Sequence, residues 1–527
     1  MDQKSRLILN SIINISTNFF STGIRFFLVP FILGIIGREL YGIWVILGSF
    51  FAYANILQLG LNSSVTRIVP YMLAKKEISQ LNSRVNTVVA YFIFLAFLLF
   101  IITLVAYHYF FSWFTISAEF QKSTQIVILI IGFSQMICFP LLAYAGILSG
   151  MQRYELPSFL NISGDIIRII LIFSFLTLFI KSNAFIFLAI VSSFISIMIA
   201  VFKARFAFKI CPDLKFKPWK FNFSFLIDQM TYGINSTLYI LSGLLLSKIA
   251  IFILGSVVST KVSADYGVAM MIIIASASII EAFCRGVKPA ASKLEGENNV
   301  PLIQKLLLRS TRYNSTLAFS LFMIILIFGP SFFNLWIGAE YLEIENGKII
   351  IATIIKTAMI LGFGYLTSWL VQPAYMVVNG LGKHLFPAIT SISAGLIATL
   401  IIIPLAKFSY SIDKIAFGIT IPMILTFGIA MPIYCCCIVK INLLRFLSRG
   451  IIIPAIYSIP AILLFYFIVK FFPPVRWPTL ILQIALFLVS IFILAWIFIL
   501  TKSDKQYFKG FIFKIKRSRF LISTSNN

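Results

Sequence analysis

The sequence predicts an all-α polytopic membrane protein, because its composition and its hydropathy pattern agree. The 527-residue chain is 60% hydrophobic and only 11% charged. Apolar runs of roughly 20 residues recur along its whole length, and each can cross a hydrocarbon core about 30 Å thick as a helix. Helices satisfy their backbone hydrogen bonds within the span, as lipid requires. We count about 14 such transmembrane helices, which excludes a soluble enzyme.

The distribution of basic residues predicts how the chain is oriented. Its formal net charge is +26, with 43 lysines and arginines. With a cytoplasmic N-terminus, roughly thirty of these bases fall in loops on one side and roughly nine on the other, which is the positive-inside pattern. We therefore predict that both termini are cytoplasmic. The basic tail is expected to contact anionic membrane lipids, and no nucleic-acid partner is expected.

Neither a metal site nor a cofactor is predicted. The six cysteines show no pairing framework or metal-binding spacing, and the chain has only two histidines. The segment Gly380-Leu381-Gly382-Lys383 lacks the first glycine and the hydroxyl residue of a nucleotide-binding P-loop. Any transport is therefore expected to use the membrane potential, an ion gradient or consumption of the product.

Short motifs occur twice along the chain, about 220–230 residues apart, which is the pattern of an internal repeat. The pairs are Gly150-Met151-Gln152-Arg153 with Pro157 and Gly380-Leu381-Gly382-Lys383 with Pro387, Tyr41-Gly42 and Tyr266-Gly267, Pro70 and Pro289, and, more loosely, Arg25 and Lys248. Two related bundles that enclose a shared midplane site are a common transporter architecture. We therefore predict two pseudo-symmetric six-helix lobes followed by two C-terminal helices.

The predicted domain boundaries follow from this repeat. They are 1–206 for the N-lobe with spans one to six, 207–224 for a basic cytoplasmic linker, 225–440 for the C-lobe with spans seven to twelve, 441–501 for spans thirteen and fourteen, and 502–527 for the basic cytoplasmic tail. The linker is short and contains two prolines, as an inter-lobe connection would. No loop is long enough to form an extramembrane catalytic domain.

Span one carries a stripe of polar residues. Asn10, Asn14, Asn18, Thr22 and Arg25 follow spacings of four, four, four and three, which places them on one face of a helix. Amides and a guanidinium are costly in hydrocarbon, so this stripe must face another helix or water. Interhelical hydrogen bonding is one interpretation. The position of Arg25 well inside the span favours a hydrated cavity.

Other polar residues inside the spans leave alternatives open. Arg168 follows Asp165 by three residues, which suits either a local ion pair or a site. Glu281 precedes Arg285 by four residues and is either its partner or a proton or cation site. Lys356 has no acidic neighbour in the sequence and is expected to be an unpaired cation.

Span seven has its own polar stripe, and Lys248 points roughly 120° or more away from it on an ideal helix. Either the helix bends near Gly243 or Lys248 serves a lateral interface. The substrate-binding candidates are Asn14, Asn18, Arg25, Arg168, Asn235, Lys248 and Lys356, and the ion-coupling candidates are Asp165 and Glu281. Their cationic excess predicts an anionic substrate, and the planar donor fork of arginine suits phosphate.

Several segments together resemble a known family. They are Gly34-Ile35-Ile36-Gly37, Tyr41-Gly42-Ile43-Trp44, Leu59-Gly60-Leu61 with Arg67, Gly146 to Tyr154, and Ala264 to Val268. Their order and spacing resemble the polysaccharide and O-antigen (Wzx-type) flippases of the MOP superfamily of MATE-like exporters, from about Ser11 to Val439. The resemblance implies a V-shaped pair of six-helix lobes in a bacterial inner membrane. This chain has Gln58 where the family often has an acidic residue.

The resemblance and the cationic residues together predict a flippase. It would move an undecaprenyl-diphosphate-linked oligosaccharide, a repeat unit of O-antigen, capsule or exopolysaccharide, by alternating access. Glycan polymerase or ligase machinery is a further expected partner. A MATE-like drug or other lipid antiporter is the alternative in the same fold, but such a substrate would favour acidic cavity residues. A membrane-embedded glycan polymerase or acyltransferase would need a large outer loop or an acid–base constellation, and neither is visible, so the chain is not expected to be an enzyme.

Overall fold

The computed structural model describes residues 3–179, 181–343, 345–409, 411–500 and 505, with the side chains of 3–16, 18, 19, 25, 231–236 and 239 outside that description. Its helices are α1 (Gln3–Ala54), α2 (Leu61–Ala74), α3 (Ile78–Trp113), α4 (Ala118–Gly150), α5 (Glu155–Phe175), α6 (Lys181–Ile210), α7 (Phe223–Val257), α8 (Thr260–Cys284), α9 (Val287–Gly296), α10 (Val300–Leu342), α11 (Gly347–Gly380), α12 (Leu385–Ser409), α13 (Ile412–Met423), α14 (Met431–Val439), α15 (Leu443–Leu447), α16 (Ile453–Phe471) and α17 (Trp477–Leu494). The linker, residues 211–222, joins α6 to α7. No strand occurs in the described ranges, which confirms the predicted all-α class.

Thirteen helical segments of the described chain are long and apolar enough to cross a membrane. The first, Phe20–Gln58, has 39 residues and therefore exceeds one crossing. It bends at Gly37, whose φ of 81° is a left-handed conformation that glycine adopts at little cost. Predicted spans one and two thus lie on either side of Gly37 in α1, and the multi-pass architecture is confirmed.

The repeated glycine motifs end two long helices in the same way. Helix α4 ends at Gly150 and α11 at Gly380. Two residues later, Gln152 and Gly382 both have positive φ, 57° and 73°. In each turn the next backbone N–H donates to a carbonyl five residues earlier, at 3.0 and 3.2 Å. This left-handed C-cap satisfies carbonyls that would otherwise be orphaned at the helix end. The sequence repeat therefore encodes a repeated helix ending.

Each of these glycines also packs against the short helix that carries a repeated proline. A Cβ on Gly150 would lie 3.3 Å from Cδ of Pro70 in α2 and closer still to the α2 backbone. A Cβ on Gly380 would lie 2.6 Å from the carbonyl oxygen of Lys288, the neighbour of Pro289 in α9. Neither position accepts a side chain without moving backbone, so the two copies of the repeat make equivalent contacts.

The described chain forms two compact units. One contains the described residues of 1–282, 336–364 and 384–426, and the other those of 283–335, 365–383 and 427–527. The first has an apolar core on α2, α3, α4 and α6. The second has an aromatic core in which Phe328, Phe465 and Phe487 join α10, α16 and α17. The division into lobes at 1–206 and 225–440 stays a prediction.

Two asparagines of α3 hold the linker along that helix. The side chain of Asn82 donates to the carbonyl of Asp213 at 2.8 Å and accepts from the N–H of Lys215 at 2.7 Å. Asn86 donates to the carbonyl of Lys215 and accepts from the N–H of Lys217, both at 2.7 Å. Asn82 and Asn86 are four residues apart, which is about 6 Å along a helix. Two residues of extended chain span about 6.6 Å, so linker residues two apart can each meet one asparagine.

Loss of these contacts is predicted to expose Cys211 at the start of the linker. This residue is 4% exposed, and burial raises the pKa of its thiol, which makes it a poor nucleophile. Asn86→Ala removes two hydrogen bonds worth about 1 kcal/mol each. We expect roughly 30-fold faster labelling of Cys211 by a soluble maleimide, read by peptide mass spectrometry.

The wild-type chain, labelled in parallel under the same conditions, serves as the reference for the labelling rate of Cys211. An unchanged rate at Cys211 in the Asn86→Ala variant would mean that apolar packing of the linker, rather than the asparagine contacts, protects this thiol.

Candidate functional site

Arg168 forms the local ion pair with Asp165, which is one of the two arrangements that the sequence allowed. Its Nη1 lies 2.6 Å from Oδ1 of Asp165, three residues earlier in α5. Asp165 is 7% exposed. A carboxylate this deeply placed needs a cation beside it, and the local arginine supplies one. Both residues are therefore bound to each other in the state that the structure shows.

The expectation that Lys356 is unpaired is wrong. Its Nζ in α11 lies 2.6 Å from Oδ2 of Asp413, at the start of α13. The hydroxyl of Ser411 also donates to this carboxylate. Helical spacing could not reveal the pair, because its members lie on different helices. The lysine side chain remains 65% exposed while that of the aspartate is 11% exposed, so the pair is open on the lysine side.

The remaining predicted residues divide into described and undescribed ones. Lys248 is half-buried in α7, and Glu281 is exposed in α8. Among the described side chains, no ion pair joins Glu281 to Arg285, so that alternative for Glu281 is not seen. The side chains of Asn14, Asn18, Arg25 and Asn235 lie outside the described part of the chain, so their cavity role stays a prediction.

A buried cluster that the sequence did not single out joins α1, α8 and α10. Arg38 forms a two-pronged ion pair with Asp265, with Nε to Oδ1 at 3.0 Å and Nη2 to Oδ2 at 2.5 Å. The hydroxyl of Tyr341 donates to Oδ1 of the same aspartate at 2.8 Å. The guanidinium also lies over the tyrosine ring, 5.4 Å from its centroid. We call these three residues the Arg38 cluster.

The geometry of the Arg38 cluster suits a strong and specific contact. The arginine side chain is 15% exposed and that of the aspartate 6%, so water screens their attraction weakly. A planar guanidinium matches both oxygens of a carboxylate at once, which a lysine cannot do. Next to the cluster, Glu39 accepts from the N–H of Ser117 at 2.7 Å and lies 3.5 Å from Nζ of Lys261.

The repeated Tyr-Gly pairs bring α1 and α8 together beside this cluster. A Cβ on Gly42 would lie 1.9 Å from the carbonyl oxygen of Thr260, so only glycine fits there. A Cβ on Gly267 would lie 3.0 Å from Cγ1 of Val45. The glycine of each copy therefore contacts the helix that carries the other copy. The repeated Tyr-Gly motif was the signal in the sequence. A single sequence could not show that the two copies of this motif contact each other's helices.

The comparisons with known proteins identify the family. A family model described as "Polysaccharide biosynthesis protein" matches residues 7–295, more than half of the chain. The chain belongs to this family. The resemblance based on the motifs is thereby confirmed. Among curated proteins, none matches this chain.

Solved structures show the same fold at low sequence identity. The lipid II flippase MurJ, in an inward closed conformation, is 14% identical, with a TM-score of 0.66 over 93% of this chain and 98% of its own. An inward-facing multidrug resistance MATE transporter of the MOP superfamily is 15% identical, with a TM-score of 0.61 over 82% and 94%. A point mutant of the Vibrio cholerae MATE transporter VcmN is 15% identical, with a TM-score of 0.59 over 84% and 99%. The predicted MOP-type fold is confirmed.

The ion pair of Arg38 with Asp265 is predicted to contribute more stability than the exposed pair of Lys293 with Glu297. Arg38→Ala leaves Asp265 buried without its cation, which should lower the free energy of unfolding by about 3–5 kcal/mol. The control is Lys293→Ala, because the pair of Lys293 with Glu297 is 77% and 50% exposed and worth about 1 kcal/mol or less.

Denaturant unfolding in detergent measures both variants, and a double-mutant cycle with Asp265→Ala isolates the pairwise energy. If Arg38→Ala costs no more than Lys293→Ala, helix packing alone holds α1 against α8.

Proposed function

We propose that this protein is a flippase that moves an undecaprenyl-diphosphate-linked oligosaccharide across a bacterial inner membrane. The substrate would be a repeat unit of O-antigen, capsule or exopolysaccharide. The observation that carries the proposal is membership of a polysaccharide biosynthesis family by a chain with a transporter fold. The likeness to a lipid II flippase supports a lipid-linked substrate, since it extends over 93% of this chain.

The charges inside the spans support an anionic headgroup as the ligand. Arg168 and Lys356 each contact a carboxylate. We assign the diphosphate to Arg25 because the sequence places it well inside span one, on the polar face of that helix. Arginine presents a planar fork of donors that matches two phosphate oxygens. In the proposed site, Arg25 holds the diphosphate, and the amides of Asn14 and Asn18 on the same helix face bind sugar hydroxyls.

An apolar cavity in the second compact unit supports a lipid tail on the substrate. It has a volume of about 400 Å³ and lies between α10 and α17. Its walls include Leu317, Leu488 and Phe492. Of the described residues that line it, Arg309 carries the one charge. A cavity of this kind accepts a stretch of hydrocarbon chain better than it accepts a sugar.

In the proposed cycle, the Arg38 cluster holds the periplasmic side of the protein closed. Arg38 lies between predicted spans one and two, and Asp265 near the start of span eight. The predicted orientation puts both at the helix ends opposite the basic loops, on the periplasmic side. Helices α1 and α8 belong to different predicted lobes. In the proposed cycle, outward release of the oligosaccharide therefore requires the bond between Arg38 and Asp265 to break.

A MATE-like drug or other lipid antiporter is the second candidate, because MATE transporters share the fold. The two candidates differ in what accumulates when the protein is removed. A flippase leaves its lipid-linked glycan on the cytoplasmic face, whereas loss of a drug antiporter leaves the lipid-linked glycans unchanged.

The first prediction from the proposal concerns the lipid-linked glycan pool. Cells depleted of the protein should accumulate a complete repeat unit on its lipid carrier, measured by mass spectrometry of extracted lipids. Wild type should clear the pool. Arg25→Ala should clear it roughly 10–100-fold more slowly, because a hydrogen bond to a charged group contributes about 1.5–3 kcal/mol.

Lys470→Ala, at the end of α16, is the control for loss of a positive charge, and protein amounts in the membrane are matched. An unchanged pool in depleted cells would refute the flippase and favour the antiporter. Normal clearance by Arg25→Ala would refute only the role of this arginine.

The second prediction tests whether α1 and α8 separate during transport. A Cβ on Gly267 would lie 3.7 Å from Cβ of Val45, which is the spacing of a disulfide. In a chain without its native cysteines, Val45→Cys/Gly267→Cys should therefore crosslink on oxidation. The glycan pool should then rise as in depleted cells and fall again after reduction.

The control is Thr311→Cys/Gly450→Cys, where the Cβ atoms would lie 3.4 Å apart within the second compact unit. This crosslink should leave clearance unchanged. Full clearance by the oxidised Val45/Gly267 pair would show that the two helices stay together throughout the cycle.

A further inference from the structure

The linker and the first residue of α7 present four exposed aromatic side chains within eight residues. Phe216 is 52% exposed, Trp219 73%, Phe221 46% and Phe223 65%. Large apolar groups in contact with water cost free energy in proportion to their area. A cluster of them at one place on a surface indicates a binding surface rather than scattered exposure.

Three lysines alternate with these aromatics. They are Lys215, Lys217 and Lys220, and all keep contact with solvent. Asp213 is the only acidic residue in the sequence from Cys211 to Phe223. A surface that combines aromatic rings with lysines matches a lipid interface, because the rings enter the boundary of headgroups and acyl chains while the ammonium groups stay among the phosphates.

The position of the linker brings this surface to the membrane. The candidate span in α6 ends at Ile210, directly before the linker, and the one described in α7 begins at Ile240. The linker therefore begins where the chain leaves the hydrocarbon core. The charge bias predicts that this side faces the cytoplasm, whose leaflet carries anionic lipids.

The aromatic side chains are not needed to hold the linker in place. Asn82 and Asn86 bind its backbone, and the hydroxyl of Thr87 accepts from the N–H of Asn222 at 3.2 Å. Cys211 and Leu214 are the linker residues that pack inward, at 4% and 7% exposure. The backbone is thus ordered before any ligand binds, which reduces the entropy lost on binding.

We propose that the segment from Lys215 to Phe223, here named the aromatic–lysine surface, binds anionic phospholipids of the cytoplasmic leaflet. Phe216, Trp219, Phe221 and Phe223 enter the interface, and the three lysines contact lipid phosphates. Because α3 holds the backbone of this segment, the lipids bind a surface that is already ordered. The surface is separate from the proposed transport site and does not depend on the identity of the oligosaccharide.

The test uses the full chain in nanodiscs and follows Trp219. The protein has seven tryptophans, so the signal of Trp219 is the difference between wild type and Trp219→Phe. One set of nanodiscs contains phosphatidylcholine alone, and the other contains about 30 mol% phosphatidylglycerol, an anionic lipid. Lipids brominated near the top of the acyl chain report insertion, and aqueous acrylamide reports exposure to water.

We expect brominated lipid to quench Trp219, and acrylamide to quench it at least about threefold less than a tryptophan analogue in solution. Both effects should be larger with phosphatidylglycerol. In the variant Lys215→Gln/Lys217→Gln/Lys220→Gln, phosphatidylglycerol should no longer increase the quenching by brominated lipid or the protection from acrylamide. Protection of Cys211 from maleimide verifies that the linker of this variant remains bound to α3.

Two outcomes would overturn the proposal. If acrylamide quenches Trp219 freely in both nanodiscs, the surface faces water and is open to a soluble protein instead. If brominated lipid quenches Trp219 equally with and without phosphatidylglycerol, the surface inserts into the interface without recognising anionic headgroups.

Discussion

The contact between α1 and α8 is the interaction on which the proposed cycle depends. At Gly42 the helix meets the carbonyl of Thr260 so closely that no Cβ fits. This approach places Arg38 within two-pronged reach of Asp265, and Tyr341 of α10 completes the cluster. A side chain at Gly42 would force α1 and the start of α8 apart, which would work against the ion pair. The close backbone contact and the electrostatic contact therefore support each other.

The three aspartates within the described spans share one arrangement. Asp165, Asp265 and Asp413 each lie against a basic side chain at hydrogen-bonding distance. Carboxylates in a medium of low polarity need such partners, because desolvation would otherwise favour their neutral form. The paired cations are less available to a phosphate for the same reason. The proposed phosphate contact of Arg25 rests on the position of this residue in the polar stripe of span one.

The sequence predicted those features that local spacing records. Apolar run length predicted the helical class, and the repeated motifs predicted two related bundles. The equivalent helix endings at Gly150 and Gly380 became visible in the structure. The sequence missed contacts between distant residues: Arg38 and Asp265 are 227 positions apart. The same limit led to the wrong expectation for Lys356, since its partner is on another helix. A single sequence contains no record of which helices become neighbours, and so a lone charge cannot be told from a paired one.

A transition that separates α1 from α8 would break few interactions. The helix caps at Gly150 and Gly380 and their contacts with α2 and α9 are internal to each copy of the repeat, so they can persist. The interactions lost between α1 and α8 include the pairing of Arg38 with Asp265, the contact of Glu39 with Lys261 and the glycine contacts beside them. Helices that meet through small residues present flat surfaces, which can part without leaving holes that large side chains had filled. The main barrier would then be electrostatic, and water entering from the periplasmic side would lower it by solvating both ions.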